Sequence, residues 1–362
     1  MKKCGDKMDF HKETQRIARR LHTLKWMTDV TLHPGTEKAE PDKLVLFDTA
    51  INSQNMGDSI IAYYCTKALS EIIAGKDVLR VPTHTLPSEK QLAEVSHAGG
   101  KIVCGTNLIT PHIEEFSNWK MPSNLEGYRD IVTMGVGWGY YCDEISKISK
   151  FVYRTVLSKK KLHSVRDGYT ERKFREMGIK NVVNTGCPTL WGLTPEHCAR
   201  IPQKKASSVI TTLTDYDRDP EADRFMLDLL KSSYKHVFVW LQGTEDLSYL
   251  QSLIDPGSVQ IIDRDLEQYT NALDMGDVDY VGTRLHAGIH AMNRGVRSII
   301  LAVDNRAAEM GRDFHLPVIQ RSNIRGELPE RIASTWATNI VLPFDAIHQW
   351  KTQFRGEKRG NS

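Results

Sequence analysis

VDYVGTRLHAGIHAMNRGVRSIILAV (278–303) decides the fold. Residues 278–284 form a short apolar run that reads as a buried strand. Residues 285–294 have helical spacing and stop at Gly295, and 297–303 is a second buried strand. Strand, helix and strand in so short a span make a βαβ unit, and its two strands must run parallel because the helix carries the chain back. The alternation continues outward. Upstream strands are expected at 208–213, 236–242 and 259–263, with helices near 221–233, 245–254 and 265–275 and a further helix near 305–313. An earlier series places strands at 43–50, 78–82, 101–106, 130–137 and 162–167, between helices at 59–75, 88–100, 142–159 and 168–178. PTLWGLTPEHCARIPQKKAS (188–207) separates the two series, with three prolines and little periodicity.

The expected architecture is therefore α/β, with two Rossmann-like doubly wound domains facing across a cleft. The N-terminal domain spans 43–190, a crossover 191–207, and the C-terminal domain 208–350; residues 351–362 read as a flexible tail. Residues 1–42 form an appendage. Phe10, Ile17, Leu21 and Leu24 fall near helical spacing among Lys12, Arg16, Arg19, Arg20 and Lys25, and LHPGTEKAEPDK (32–43) reads as a linker. Such a basic helix either packs on protein or lies on an anionic membrane surface, and its thin apolar stripe favours packing.

The chain has 362 residues, 48 Lys and Arg against 45 Asp and Glu, and a net charge of +3, a balance that argues against a nucleic-acid binder. With 40% apolar and 26% charged residues it is an ordinary folded composition rather than a disordered one. No apolar run is long enough to span a membrane, and the N-terminus shows no apolar signal region, so a cytoplasmic location is the expectation. The six cysteines form no C-x-x-C pair and read as reduced, partly buried side chains.

Ligands of doubly wound folds bind beyond the carboxyl ends of the strands, which selects the residues to weigh. Arg284, Leu285 and His286 end one strand and open the next helix, where free backbone N–H groups and the helix dipole favour an anion. Arg284 adds a fork suited to carboxylate or phosphate, unless it serves a structural ion pair, and His286 a proton donor. His286 and His290 share a helix face, but no third ligand is evident and no metal is expected. Asn55, Gly57 and Asp58 lie in the first strand–helix turn of the earlier series; Asp58 either caps the helix or holds a substrate hydroxyl. Arg166 ends a strand before Asp167, pointing into the cleft or pairing locally. MGVGWGYY (134–141) lacks the third glycine of a dinucleotide loop; Trp138, Tyr140 and Tyr141 offer faces for a sugar ring or cover an interdomain seam.

In order and spacing, residues 44–320 resemble the polysaccharide pyruvyl transferase family. The resemblance is carried by the N-x-G-D turn at Asn55–Asp58, by KIVCGTNLI (101–109), by the V-R-D segment SVRDGYTERKFREMGIKNVVNTGCPTL (164–190), and most specifically by the R-L-H block TRLHAGIHAMNRGVRSIIL (283–301). It implies a GT-B-like pair of domains, phosphoenolpyruvate as donor and a sugar diol as acceptor; whether that sugar or glycan is lipid-linked stays open, and the basic N-terminal helix hints at a substrate on the inner face of the membrane. The product is a cyclic pyruvate ketal and phosphate, and no nucleotide, metal or organic cofactor is required. Arg166 and Arg284 then bind the donor, Leu285 shapes its pocket, and His286 is the general acid. Arg306 stands in DNRAAE (304–309), the turn where the family commonly carries a lysine. Asp58 is a candidate base, and Asn55, Trp138 and Tyr140 are candidate acceptor contacts. Two other readings fit the same fold: a glycosyltransferase using a nucleotide sugar, and a non-catalytic carbohydrate-binding protein. Intact Arg166, Arg284 and His286 argue against the latter.

Overall fold

The computed structural model describes residues 40–355. The expected basic helix and most of its linker lie outside them, as do residues 356–362.

The N-terminal half contains β1 (Glu40–Asp48), β2 (Asp77–Pro82), β3 (Ala98–Cys104), β4 (Asn107–Ile109), β5 (Val132–Met134), β6 (Gly137–Trp138), β7 (His163–Val165) and β8 (Val182–Asn184). Its main sheet is four-stranded and parallel in the order β2-β1-β3-β5, while β4 pairs with β6 and β7 with β8. The C-terminal half contains β9 (Ser208–Thr211), β10 (His236–Trp240), β11 (Gln260–Ile262), β12 (Val278–Gly282), β13 (Ser298–Ala302) and β14 (Val318–Gln320). These make one six-stranded parallel sheet in the order β11-β10-β9-β12-β13-β14. Counted within that half, the order is 3-2-1-4-5-6, the arrangement of the dinucleotide-binding Rossmann sheet, and the strand order reverses between β9 and β12.

The helices longer than one turn are α1 (Met56–Ala68), α2 (Glu89–His97), α3 (Lys147–Val156), α4 (Gly168–Glu176), α5 (Pro220–Ser233), α6 (Asp246–Leu253), α7 (Leu266–Asp274), α8 (Leu285–Asn293), α9 (Asn305–Phe314), α10 (Ile324–Ala333) and α11 (Phe344–Thr352). Most begin where a short polar side chain accepts from the first turn: Asn55, Ser88, Ser146, Asp167, Asp219, Asp265 and Asp304. The expected helix at 142–159 accordingly starts only at Lys147, after the Ser146 cap. The expected strand at 130–137 shortens to Val132–Met134 because Gly135 turns with φ +62° beneath Pro188; a β-carbon there would lie 2.2 Å from the Pro188 ring.

An apolar seam joins the two halves. Ile60 and Tyr64 of α1 share one buried cluster with Leu190, Leu193, Ile210, Trp240, Ala287 and Met292. On the seam, His290 is held from both sides, Nδ1 by the Tyr64 hydroxyl at 2.9 Å and Nε2 by Thr270 Oγ1 at 3.0 Å. Both ring nitrogens are thus used, so His290 is not paired with His286 as a metal ligand. The chain's end crosses back. Trp350 of α11 is buried with Leu44, Leu46, Ile102 and Met134 of the first sheet, and its Nε1 donates to the Thr133 carbonyl at 3.1 Å. Gln353 exchanges hydrogen bonds of 2.7 and 2.9 Å with the Leu162 backbone. The boundary placed at residue 350 therefore runs through a helix that packs on the N-terminal sheet, and residues 351–355 are not a free tail.

Candidate active site

Arg284 sits where the C-terminal sheet reverses its order, as the residue before α8. It is 3% exposed and its guanidinium is occupied. Nε donates to the Leu213 carbonyl at 2.7 Å, and Nη2 donates to Asp215 at 2.8 Å and to Asp246 at 2.6 Å. The Tyr216 ring lies 5.0 Å from the guanidinium carbon. Asp246 is itself fixed by the backbone N–H groups of Gln242 and Gly243, at 2.8 and 2.7 Å. The expectation of an open fork at Arg284 is thus corrected to a partly committed one. A buried guanidinium demands partners, and the loops after β9 and β10 supply two carboxylates. Its Nη1 is the nitrogen left without a hydrogen bond among the described residues.

Arg166 is different. It follows β7, is 1% exposed, and uses only Nε, 3.3 Å from Asp167. Both terminal nitrogens, Nη1 and Nη2, are buried without a hydrogen-bond partner. Asp167 is mainly engaged elsewhere: its Oδ1 accepts from the Thr170 N–H and hydroxyl, each at 2.7 Å, as the cap of α4. Gly137 lies flat under the guanidinium, and a β-carbon there would stand 2.3 Å from its central carbon. A buried charged edge left unpaired is among the most costly features a fold can keep. A bidentate anion would satisfy it.

His286 lies in the first turn of α8, 5% exposed, with Nε2 3.8 Å from the buried Cys187 thiol. Burial and the charges of Arg306 and Arg166 push its pKa down to about 3, with Asp58 and Asp304 opposing. The imidazole is therefore neutral near pH 7. The charges of Arg166, Arg306, Asp58 and Asp304 all reach it. Arg306 is paired with Asp304 and donates to the Tyr216 hydroxyl at 2.5 Å. Burial pushes the Asp304 carboxyl up, but Arg306 and Arg166 outweigh it and hold it below its ordinary value. Leu285 is buried in the apolar seam beside this cluster.

The N-terminal half contributes the α1 turn. Asn55 Oδ1 caps the Gly57 N–H at 3.0 Å and accepts from Gln242 Nε2 at 2.7 Å, so one residue both starts the helix and ties the two halves together. Asp58, 8% exposed, accepts from the Ser53 hydroxyl at 2.6 Å and faces His84 Nε2 at 3.4 Å. Trp138 is corrected: it is 1% exposed inside the N-terminal core, where no sugar ring reaches it, because β6 turns it toward the apolar side of the domain. Tyr140 remains at the surface, and the neighbouring Tyr141 reaches across to Glu309 at 2.5 Å. Sequence reading passed over Tyr216, Asp215, Asp246 and Gln242. Their only signal was position, each lying just past a C-terminal strand end.

Two parallel Rossmann-like sheets with their reactive loops at the carboxyl ends define the GT-B class. Methanocaldococcus jannaschii UDP-GlcNAc 2-epimerase, solved with UDP-GlcNAc and UDP, superposes with a TM-score of 0.50 at 10% identity over 86% of this chain and 98% of its own. A Thermobaculum terrenum O-GlcNAc transferase variant gives a TM-score of 0.44 at 10% identity, over 96% of this chain and 73% of its own. No curated protein sequence matches. The polysaccharide pyruvyl transferase family model matches residues 55–305, and the chain belongs to that family of transferases.

Proposed function

We propose that this transferase moves the pyruvyl group of phosphoenolpyruvate onto two hydroxyls of a surface-polysaccharide sugar or its precursor, forming a cyclic ketal and releasing phosphate. The observation that carries the reading is the unpaired Arg166 edge beside His286 at the start of α8. Phosphoenolpyruvate is small and doubly anionic at its carboxylate and phosphate ends. Arg166, Arg306, the remaining edge of Arg284 and the N–H groups opening α8 offset that charge.

The reaction needs a proton at the methylene carbon C3, which leaves C2 electrophilic. One sugar hydroxyl adds to C2, and the second displaces phosphate to close the ring. His286 is the acid in this scheme. It is neutral in the protein alone, and the donor's negative charge raises its proton affinity, so the proton arrives with the donor. Asp58 orients the first hydroxyl and takes its proton as the oxygen adds to C2, and the proton of the second hydroxyl leaves with the phosphate. The acceptor is a sugar or glycan, free or lipid-linked. Among the described residues no helix is long and apolar enough to cross a membrane.

The test is phosphate release from phosphoenolpyruvate by the purified protein against a panel of sugars. The expected result is release that depends on one class of acceptor, with a gain on the acceptor of the mass of a pyruvate ketal. Nucleotide release from a nucleotide sugar in the same panel, with none from phosphoenolpyruvate, moves the assignment to glycosyl transfer.

A further inference from the structure

The loops that leave β1 and β2 are stitched together at their carboxyl ends. The Thr83 N–H donates to the Asp48 carbonyl at 3.3 Å, and Asn52, held at φ +60°, donates from its side chain to Thr85 Oγ1 at 3.2 Å. Between them, His84 lies between two acceptors. Its Nδ1 is 3.1 Å from the Asn118 carbonyl, and its Nε2 is 3.4 Å from Asp58 Oδ2, the same oxygen that takes the Ser53 hydroxyl at 2.6 Å. A neutral imidazole has one N–H and can satisfy only one of those acceptors, whereas the imidazolium satisfies both. Asp58 Oδ1 makes no hydrogen bond among the described residues.

We propose that His84 is a positioning residue of the acceptor side: its imidazolium clamps Asp58 through Oδ2 and leaves Oδ1 to receive a sugar hydroxyl. The inference rests on the reading of Asp58 as the acceptor contact. The site then carries two histidines shifted in opposite directions, His286 toward the neutral form at the donor and His84 toward the cation at the acceptor. The hydrogen bond to Asp58 raises the His84 pKa; burial lowers it less, the charge of Asp58 and the Asn118 carbonyl raise it, and Lys120 lowers it. A raised histidine is charged below its folded pKa and loses its charge as pH climbs through it, so the clamp holds on the acid side of that pKa and opens on the alkaline side.

The experiment has two arms. The first is an NMR titration of His84 in the protein without ligands. It should titrate above the ordinary histidine range, and Asp58→Asn should bring it back; titration at or below the ordinary range overturns the proposal whatever the donor is. The second is steady-state kinetics across pH. His84→Ala should raise the acceptor KM about tenfold, the scale of one charge-assisted hydrogen bond, with the KM for phosphoenolpyruvate within about twofold. His84→Gln, which donates without titrating, should recover much of that loss and remove the alkaline rise in acceptor KM seen in the wild type. An unchanged acceptor KM in both variants, or the same alkaline rise in His84→Gln, overturns the positioning role. A wild type that turns over no phosphoenolpyruvate while the NMR arm succeeds counts against the proposed reaction and not against the His84–Asp58 pair.

Discussion

His286→Ala is expected to lower turnover at least about a hundredfold, the usual scale for a residue that transfers a proton in the rate-limiting step. Folding should survive. Among the described residues, the side chain's one hydrogen-bond contact is the Cys187 thiol at 3.8 Å, and α8 keeps its start because Arg284, not His286, precedes the helix. The pH behaviour follows from the pKa, pushed down to about 3 in the protein alone. A histidine depressed in the free protein is unprotonated at neutral pH, and the arriving donor anion shifts it upward, so donor binding takes up protons. Calorimetry in buffers of different ionisation enthalpy should show more proton uptake for the wild type than for His286→Ala. Near-normal turnover in the variant, or identical proton uptake, removes His286 from the acid role.

Gly137→Ala is expected to weaken phosphoenolpyruvate binding at least about a hundredfold, as lost pairing of a buried charge does. A single β-carbon at this position would stand 2.3 Å from both the central carbon and Nη2 of Arg166 and 2.6 Å from Nη1. A β-carbon cannot stand that close, so the guanidinium must leave its place over Gly137 and carry Nη1 and Nη2 away with it. The backbone at Gly137 is not in the left-handed region, so the substitution probes space and not chain conformation. Measured by calorimetry beside Arg166→Ala, the two variants should lose affinity alike. Unchanged affinity in Gly137→Ala would mean that Arg166 does not face the donor.

Much of this was legible in the chain. β12 and β13 are buried on both faces, so their apolar runs stand out without any alternation to decode, and the helix between them is closed by a glycine. β14 escaped because Val318–Gln320 is only three residues long, and α10 because Pro329 lies inside it, where proline normally argues against a helix. α11 was hidden for another reason. Its anchor, Trp350, packs on a sheet formed some two hundred positions earlier, and local pattern carries no information about such a partner. Strand-end logic selected Arg166, His286 and Asp58 as candidates, because the fold itself sets where ligands bind. It could not tell a committed arginine from a free one. Arg284 and Arg166 look equivalent in sequence, each ending a strand before a helix. Asp215 and Asp246, remote in the chain, are what occupy the first, and nothing comparable reaches the terminal nitrogens of the second. Trp138 misled for the opposite reason, since an aromatic in a glycine-rich turn looks exposed until β6 rotates it into the core.

The most direct test of the account is a calorimetric titration of the wild-type protein with phosphoenolpyruvate, run beside UDP-GlcNAc and beside Arg166→Ala. The account predicts saturable binding of phosphoenolpyruvate, its loss in the variant, and no comparable binding of the nucleotide sugar. Saturable heat from UDP-GlcNAc with none from phosphoenolpyruvate would contradict it.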